Sequence, residues 1–110
     1  QAQRRLDEAM VEVAIALQKN PNNADAWVFS GVLSRQSGDF NLAEKQYRKA
    51  LSFNPRHPGA LLNLAILHDL YLGELTLALQ YYKSYQLVAT DDKRVKNWII
   101  DLNRRVETYE

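Results

Sequence analysis

The feature that most constrains the fold of this chain is a residue spacing that returns after about 34 residues. The clearest copy of this pattern combines aromatic residues, small residues and a proline that ends the unit: Trp27, Gly31, Ala43, Tyr47, Ala50 and Pro55. A unit of this length cannot bury its apolar face alone. The period therefore predicts units that stack on one another into a solenoid with one continuous core.

Two weaker copies flank the clearest one. The downstream copy carries the same positions at Leu61, Ala65, Ala78 and Tyr82. Its second half comes one residue late, and we expect the extra residue in the turn around Leu72 and Gly73. The upstream copy has only its second half, which closes at Pro21. The pattern thus starts at a half repeat, which fits both a segment of a longer protein and a mature chain with an atypical first helix.

Taken residue by residue, the pattern resembles the tetratricopeptide repeat signature of Trp, Leu-Gly, Tyr, Ala, Phe and a closing Pro. The matching positions are Trp27, Gly31, Ala43, Tyr47 and Pro55, while Ser30 and Ser34 depart from it. The resemblance implies an all-α fold, a right-handed superhelix of about six antiparallel helices. It divides the chain into a half repeat at 1–22, repeats at 23–56 and 57–91, and a capping helix at 92–110.

Local signals predict where the helices begin and end. The predicted helices are Arg4–Lys19, Ala24–Gln36, Phe40–Phe53, Pro58–Leu70, Leu75–Ala89 and a sixth that follows Thr90. Asn22 or Asn23 and Asp39 are suited to cap helix starts, and Gly38 and Gly73 to end helices. Tyr85 stands where the other repeat has the small Ala50, so we expect the sixth helix to sit displaced from regular repeat geometry.

Composition bounds the class of protein. With 110 residues and 46% hydrophobic content, the chain is long enough for one continuous core. Its 14 basic and 13 acidic residues produce no net field that favours nucleic acid. No apolar run approaches about 18 residues, so we expect no direct membrane insertion. The absence of cysteine is compatible with both the cytoplasm and a bacterial periplasm.

The titratable residues form no recognisable reaction centre. His57 and His68 fall in different elements, and the neighbouring Asp69 points about 100° away from His68 on a helix. Asp91 and Asp92 are explained by helix capping, and the glycines are too scattered for a phosphate loop. We therefore expect no enzyme, no metal site and no cofactor.

The resemblance also implies where a partner would bind. In this family the first helix of each repeat lines a concave groove, which here would include Asp25, Gln36, Leu70, Asn97, Trp98 and Asp101 among its residues. The candidate groove site consists of an apolar strip with polar flanks: Val28, Val32, Arg35, Leu62, Asn63, Ile66, Asp69 and Arg94.

Some relatives use this groove to clamp the terminal carboxylate of heat-shock chaperones with five polar groups. Asn63 and Arg94 match that pattern. Val28 and Val32 stand where Lys and Asn are required, and Trp98 replaces a basic residue. Valines leave a carboxylate without compensation for its lost hydration, so we reject this ligand.

The sequence thus predicts a non-catalytic scaffold that binds a protein or peptide partner in its groove and binds no nucleic acid. An equally open alternative is that other parts of a longer parent protein cover the apolar strip. A further alternative is self-association: the half repeat leaves one helix face unpartnered, as expected for a homodimer module of a larger bacterial protein. The last helices resemble the C-terminal ends of bacterial repeat proteins.

Overall fold

Helices account for nearly all of the chain in the computed structural model, which describes residues 1–109 and the side chains of residues 1–108. The elements are α1 Ala2–Lys19, α2 Ala24–Gln36, α3 Phe40–Phe53, α4 Pro58–Ile66, a π-helix Leu67–Leu72, α5 Leu75–Val88 and α6 Lys93–Tyr109. No strand occurs within residues 1–109. The predicted all-α fold is confirmed, although Glu110, the last residue of the predicted capping helix, lies outside the described residues.

Side chains cap the starts of α2, α3 and α4, as the sequence predicts for the first two. Asn23 and Asp39 each accept a hydrogen bond from the backbone amide three residues on, at 3.1 and 3.2 Å. His57 caps α4 in the same way, since its Nδ1 accepts from the amide of Ala60 at 3.1 Å. Its Nε2 lies 2.5 Å from Asp25 Oδ1, so this histidine ties the start of α4 to α2.

The extra residue of the second repeat lies inside a helix, which corrects the sequence prediction. The sequence predicts an α-helix from Pro58 to Leu70, with the extra residue in the turn beyond it. Instead α4 ends at Ile66 and continues directly as the π-helix. A π turn bonds residue i to i+5, so it absorbs an inserted residue without rotating the rest of the helix off the core. The chain then turns at Gly73, whose φ of 69° is the predicted left-handed conformation.

The core is a row of three clusters of buried side chains that follows the stack of helices. The first lies around Val13 and Leu33, where α1 meets α2. The second lies around Tyr47 and Leu64, between α3 and α4. The third and largest surrounds Tyr82 and includes side chains of α4, α5 and α6. The clusters follow one another along the stack of helices, in agreement with the elongated shape of 43 × 27 × 21 Å.

Asp92 fixes the start of α6 against α5. Its carboxylate accepts hydrogen bonds from the Tyr85 hydroxyl at 2.7 Å, the Arg94 guanidinium at 2.8 Å and the Val95 amide at 3.4 Å. The hydrogen bonds from Arg94 and Tyr85 hold the pKa of Asp92 well below its usual range. Val95, Ile99 and Leu102 of α6 are buried in the third cluster with side chains of α5, while the division into repeats and a terminal cap stays a prediction.

Candidate functional site

The sixth helix does not repeat the spacing between the first helices of the two repeats. Cα atoms of α2 and α4 approach within 8 Å, whereas among the described residues no Cα of α6 comes that close to α4 or the π-helix. α6 packs instead on α5, where Tyr85 fills the position that Ala50 has in the other repeat. The gap agrees with the displacement of α6 that we expected from this bulky residue.

A cleft of about 330 Å³ occupies this gap. Its lining is mainly apolar and comes from the end of α4, the π-helix, α5 and α6: Ile66, Asp69, Leu70, Tyr82, Trp98, Asp101 and Arg105. Leu70 is 67% exposed and Trp98 is 38% exposed. The Trp98 ring lies 5.9 Å from that of Tyr82, between centroids. The cleft therefore presents large apolar groups that the fold itself leaves uncovered.

A buried carboxylate ties the walls of the cleft together. Asp69 is only 7% exposed in its side chain, and its Oδ1 lies 3.0 Å from Arg105 Nη2. Its Oδ2 accepts a hydrogen bond from the Tyr82 hydroxyl at 3.1 Å. Burial and the adjacent carboxylate raise the pKa of Tyr82, so the hydroxyl stays a donor. Asp69 thus links the π-helix to both α5 and α6.

Charged groups form the rim of the cleft. Arg105 Nε lies 3.2 Å from Asp101 Oδ2, one helical turn earlier on α6. Arg94 does not line the cleft; it is held by Asp92, and its guanidinium carbon lies 5.6 Å from the centroid of the Trp98 ring. The Asp101 and Arg105 pair has no net charge, but it places one negative and one positive group beside the apolar centre of the cleft.

The predicted groove residues are not all brought together at this cleft. Of these residues, Ile66 and Asp69 line the cleft, and Asp69 is already paired with Arg105. Val28 and Val32 are half-buried and pack against the Tyr47 cluster. Leu62 is half-buried against the Tyr82 cluster. The apolar strip therefore contributes to the core as well as to the surface, and the eight-residue site stays a prediction.

Three polar members of the predicted site are engaged within the chain. The Asn63 amide donates to the Gly59 carbonyl at 2.8 Å. The Arg35 guanidinium lies 5.8 Å from the Tyr71 ring centroid, with Nη1 3.4 Å from the hydroxyl. Arg94 is paired with Asp92. Sequence spacing places such residues on a face but cannot show that a neighbour already occupies their polar atoms.

Two lining residues, Tyr82 and Arg105, were not predicted. Tyr82 occupies the aromatic position of the repeat pattern, which is typical of the core, and is indeed 2% exposed. Arg105 pairs with Asp69 across 36 residues, and no periodic signal marks that pairing. Only its i, i+4 spacing from Asp101 is visible in the sequence.

Other kinds of site are not found in the part of the chain that the structure describes. No group of three or more metal-ligating side chains converges there. None of the helices in residues 1–109 combines the length and apolar character that a membrane span requires.

Comparison with known proteins identifies the repeats. A family model described as tetratricopeptide repeat matches residues 1–51 and 31–93. Over 61 residues, 56% of the chain, it is 39% identical to a probable biofilm formation methyltransferase, WspC, of Pseudomonas putida. Over 86 residues, 77% of the chain, it is 29% identical to the photosystem I assembly protein Ycf3 of Rippkaea orientalis. The matches cover 14% and 48% of these relatives, so the chain spans less than half of either.

Solved structures show the same arrangement of helices. The first tetratricopeptide domain of Spaghetti (RPAP3), solved with the HSP90 peptide SRMEEVD, superposes with a TM-score of 0.85. The match covers 96% of this chain and 83% of that one at 16% sequence identity, which establishes a common fold. With the family model matched over most of its length, the chain belongs to the tetratricopeptide repeat family.

Proposed function

We propose that this domain is a non-catalytic interaction module that holds a peptide or helix of a partner protein, with the cleft between the π-helix and α6 as its anchor site. The family is generally a protein-interaction module. The observation that carries the proposal is the cleft itself, because the fold leaves Leu70 and Trp98 exposed beside an open apolar cleft. Aromatic residues in such pockets contribute most of the energy of many interfaces.

The ligand proposed for this cleft is an apolar side chain carried on a peptide with mixed charge. A cleft of about 330 Å³ admits a large apolar side chain. Asp101 and Arg105 on the rim are paired with each other but remain 66% and 37% exposed in their side chains, so they suit polar neighbours of that anchor. Asp69 is not available to grip a ligand, since Arg105 and Tyr82 already satisfy it.

A terminal carboxylate clamp is not part of this proposal. The two residues that match the chaperone-binding pattern, Asn63 and Arg94, are engaged by Gly59 and Asp92. The structural neighbour was solved with an HSP90 peptide, but at 16% identity the likeness extends to the fold alone. A peptide held by an internal apolar anchor is therefore the better fit.

The test is a selection of binding peptides from a random displayed library, followed by affinity measurements on variants. We expect Leu70→Glu and Trp98→Ala each to weaken binding by about tenfold or more, since each removes an anchor contact. Leu87→Glu is the matched control, because Leu87 is 76% exposed on α5 and lies outside the cleft. The cleft would be refuted as the anchor site if the selected peptides bound Leu70→Glu with wild-type affinity, or if Leu87→Glu weakened their binding as much as Leu70→Glu does.

Self-association is a second candidate that the first helix favours. Val11 is 60% exposed and Ile15 is 46% exposed, one turn apart on α1. Two such faces can pair by symmetry and bury apolar area. Light scattering at two protein concentrations distinguishes this candidate: a mass that doubles with concentration, and returns to the monomer in Val11→Glu, supports the dimer. A constant monomer mass excludes it.

A further inference from the structure

The outer face of α3 carries an excess of positive charge that the near-neutral total conceals. Lys45, Arg48 and Lys49 lie three and four residues apart on α3, and all are exposed. Arg56, also exposed, follows in the turn before α4. The sequence contains no Asp or Glu between positions 44 and 69. These four residues are called the α3 basic strip below.

Glu44, which precedes the strip on α3, and the exposed Glu74 approach a buried histidine instead of the strip. Glu44, immediately before Lys45, places Oε2 2.9 Å from Nε2 of the fully buried His68. Glu74, at the start of α5, places Oε1 3.9 Å from Nδ1 of the same ring. Across the described residues no ion pair includes Lys45, Arg48, Lys49 or Arg56. The positive charges therefore face solvent without a carboxylate partner.

Apolar side chains lie along the same helix. Phe53 is 38% exposed and Leu42 is 42% exposed. The Lys49 ammonium lies 5.3 Å from the centroid of the Phe53 ring and so covers one face of it. A nucleic acid would need free aromatic faces on which bases stack. A surface that mixes unpaired cations with aliphatic and aromatic groups instead matches a polypeptide with both acidic and apolar residues.

We propose that the α3 basic strip is a second docking surface, separate from the cleft, for an acidic polypeptide segment whose carboxylates are interspersed with apolar side chains. From Lys45 to Phe53 the face is about 12 Å long, from the rise of about 1.5 Å per residue, enough to face two turns of a helix. Charge complementarity sets the partner class, and Phe53 and Leu42 add apolar contact. None of these residues lines the cleft, so one domain can hold two partners at once.

The experiment uses the full chain and a short fluorescein-labelled peptide in which Glu residues are interspersed with Leu. We expect binding that weakens with added salt and falls by about tenfold or more in Lys45→Glu/Arg48→Glu/Lys49→Glu. The matched control is Lys93→Glu/Lys96→Glu/Arg104→Glu, which changes three exposed residues of α6 by the same net charge and should bind normally. Replacement of the same three α3 residues by Gln tests the strip should the reversed variant lose helicity.

Several results would overturn the proposal. Equal losses in the α3 and α6 variants would mean that only net charge matters. Normal binding by the Gln variant, or no binding by the wild type, would remove the site. Tighter binding of an oligothymidylate than of the peptide would point to nucleic acid instead. If the Leu70→Glu variant no longer binds the acidic peptide, that peptide binds in the cleft and not on the strip. If only the cleft proposal is wrong, binding of the acidic peptide to the α3 strip is unaffected.

Discussion

Gly31 is the residue at which one added carbon decides how α2 packs on α3. A Cβ built there overlaps the ring of Tyr47, which is fully buried. Alanine at a mid-helix glycine gains up to about 1 kcal/mol of helix propensity. Overpacking a filled core costs about 1–3 kcal/mol, so the steric cost is the larger effect.

We therefore predict that Gly31→Ala lowers the free energy of unfolding, measured by urea denaturation. Gln36→Ala is the control, since Gln36 is exposed on the same helix and gains propensity without an overlap. A Gly31→Ala variant as stable as the wild type would mean that Tyr47 can move aside and that this close approach does not limit packing.

At the cleft, the stability of the fold is also expected to depend on a single side chain, that of Asp69. Asp69→Asn keeps an acceptor for Tyr82 but removes the charge that pairs with Arg105. We predict a loss of about 1–3 kcal/mol in unfolding free energy, because Asp69 is nearly buried. Asp101→Asn removes a contact to the same arginine from a carboxylate that is 66% exposed, and should cost less than about 1 kcal/mol. Equal effects of the two variants would contradict the assigned role of Asp69.

Among the elements, the helices with strong local signals were predictable and the π-helix was not. The bounds of α2 and α3 agree with the sequence prediction because Asn23 and Asp39 cap their starts, and Gly38 and Pro55 follow their ends. The extra residue of the second repeat was visible as a longer spacing, but spacing alone cannot tell a turn from a widened helix. The cleft was predicted only in part: its Ile66 lies on the expected face, whereas the Asp69 and Arg105 pairing depends on tertiary contact.

The π-helix is expected to set the shape of the cleft, since Asp69 and Leu70 belong to both. Deletion of Tyr71, which is 43% exposed on the π-helix and lies outside the cleft, restores the residue spacing of the other repeat and should let a regular α-helix form. We predict that circular dichroism shows retained helicity while peptides selected on the wild type lose binding. Retained binding after the deletion would show that the cleft does not depend on the π-helix.

At the scale of the whole molecule, α6 should be required for a soluble, folded domain. It covers Ala78, Tyr82 and Tyr85 of the third cluster. Removal of residues 92–110 returns this surface to water at about 25 cal/mol per Å², several kcal/mol in total. That is a large part of the about 5–15 kcal/mol by which domains are stable.

The shortened chain is therefore predicted to aggregate or to melt at a much lower temperature, measured by light scattering during a thermal scan. A chain that lacks only residues 107–110 is the control, because Glu107 and Thr108 are exposed. A monomer with an unchanged thermal midpoint after removal of residues 92–110 would refute the capping role.

The most direct test of the cleft as the anchor site is a two-dimensional ¹H–¹⁵N NMR titration of the labelled domain with a peptide selected on the wild type. We predict shifts concentrated at Ile66, Leu70, Arg105 and the Trp98 indole, which surround the cleft. Shifts confined to α1 or to the outer face of α3, with the cleft signals unmoved, would contradict it.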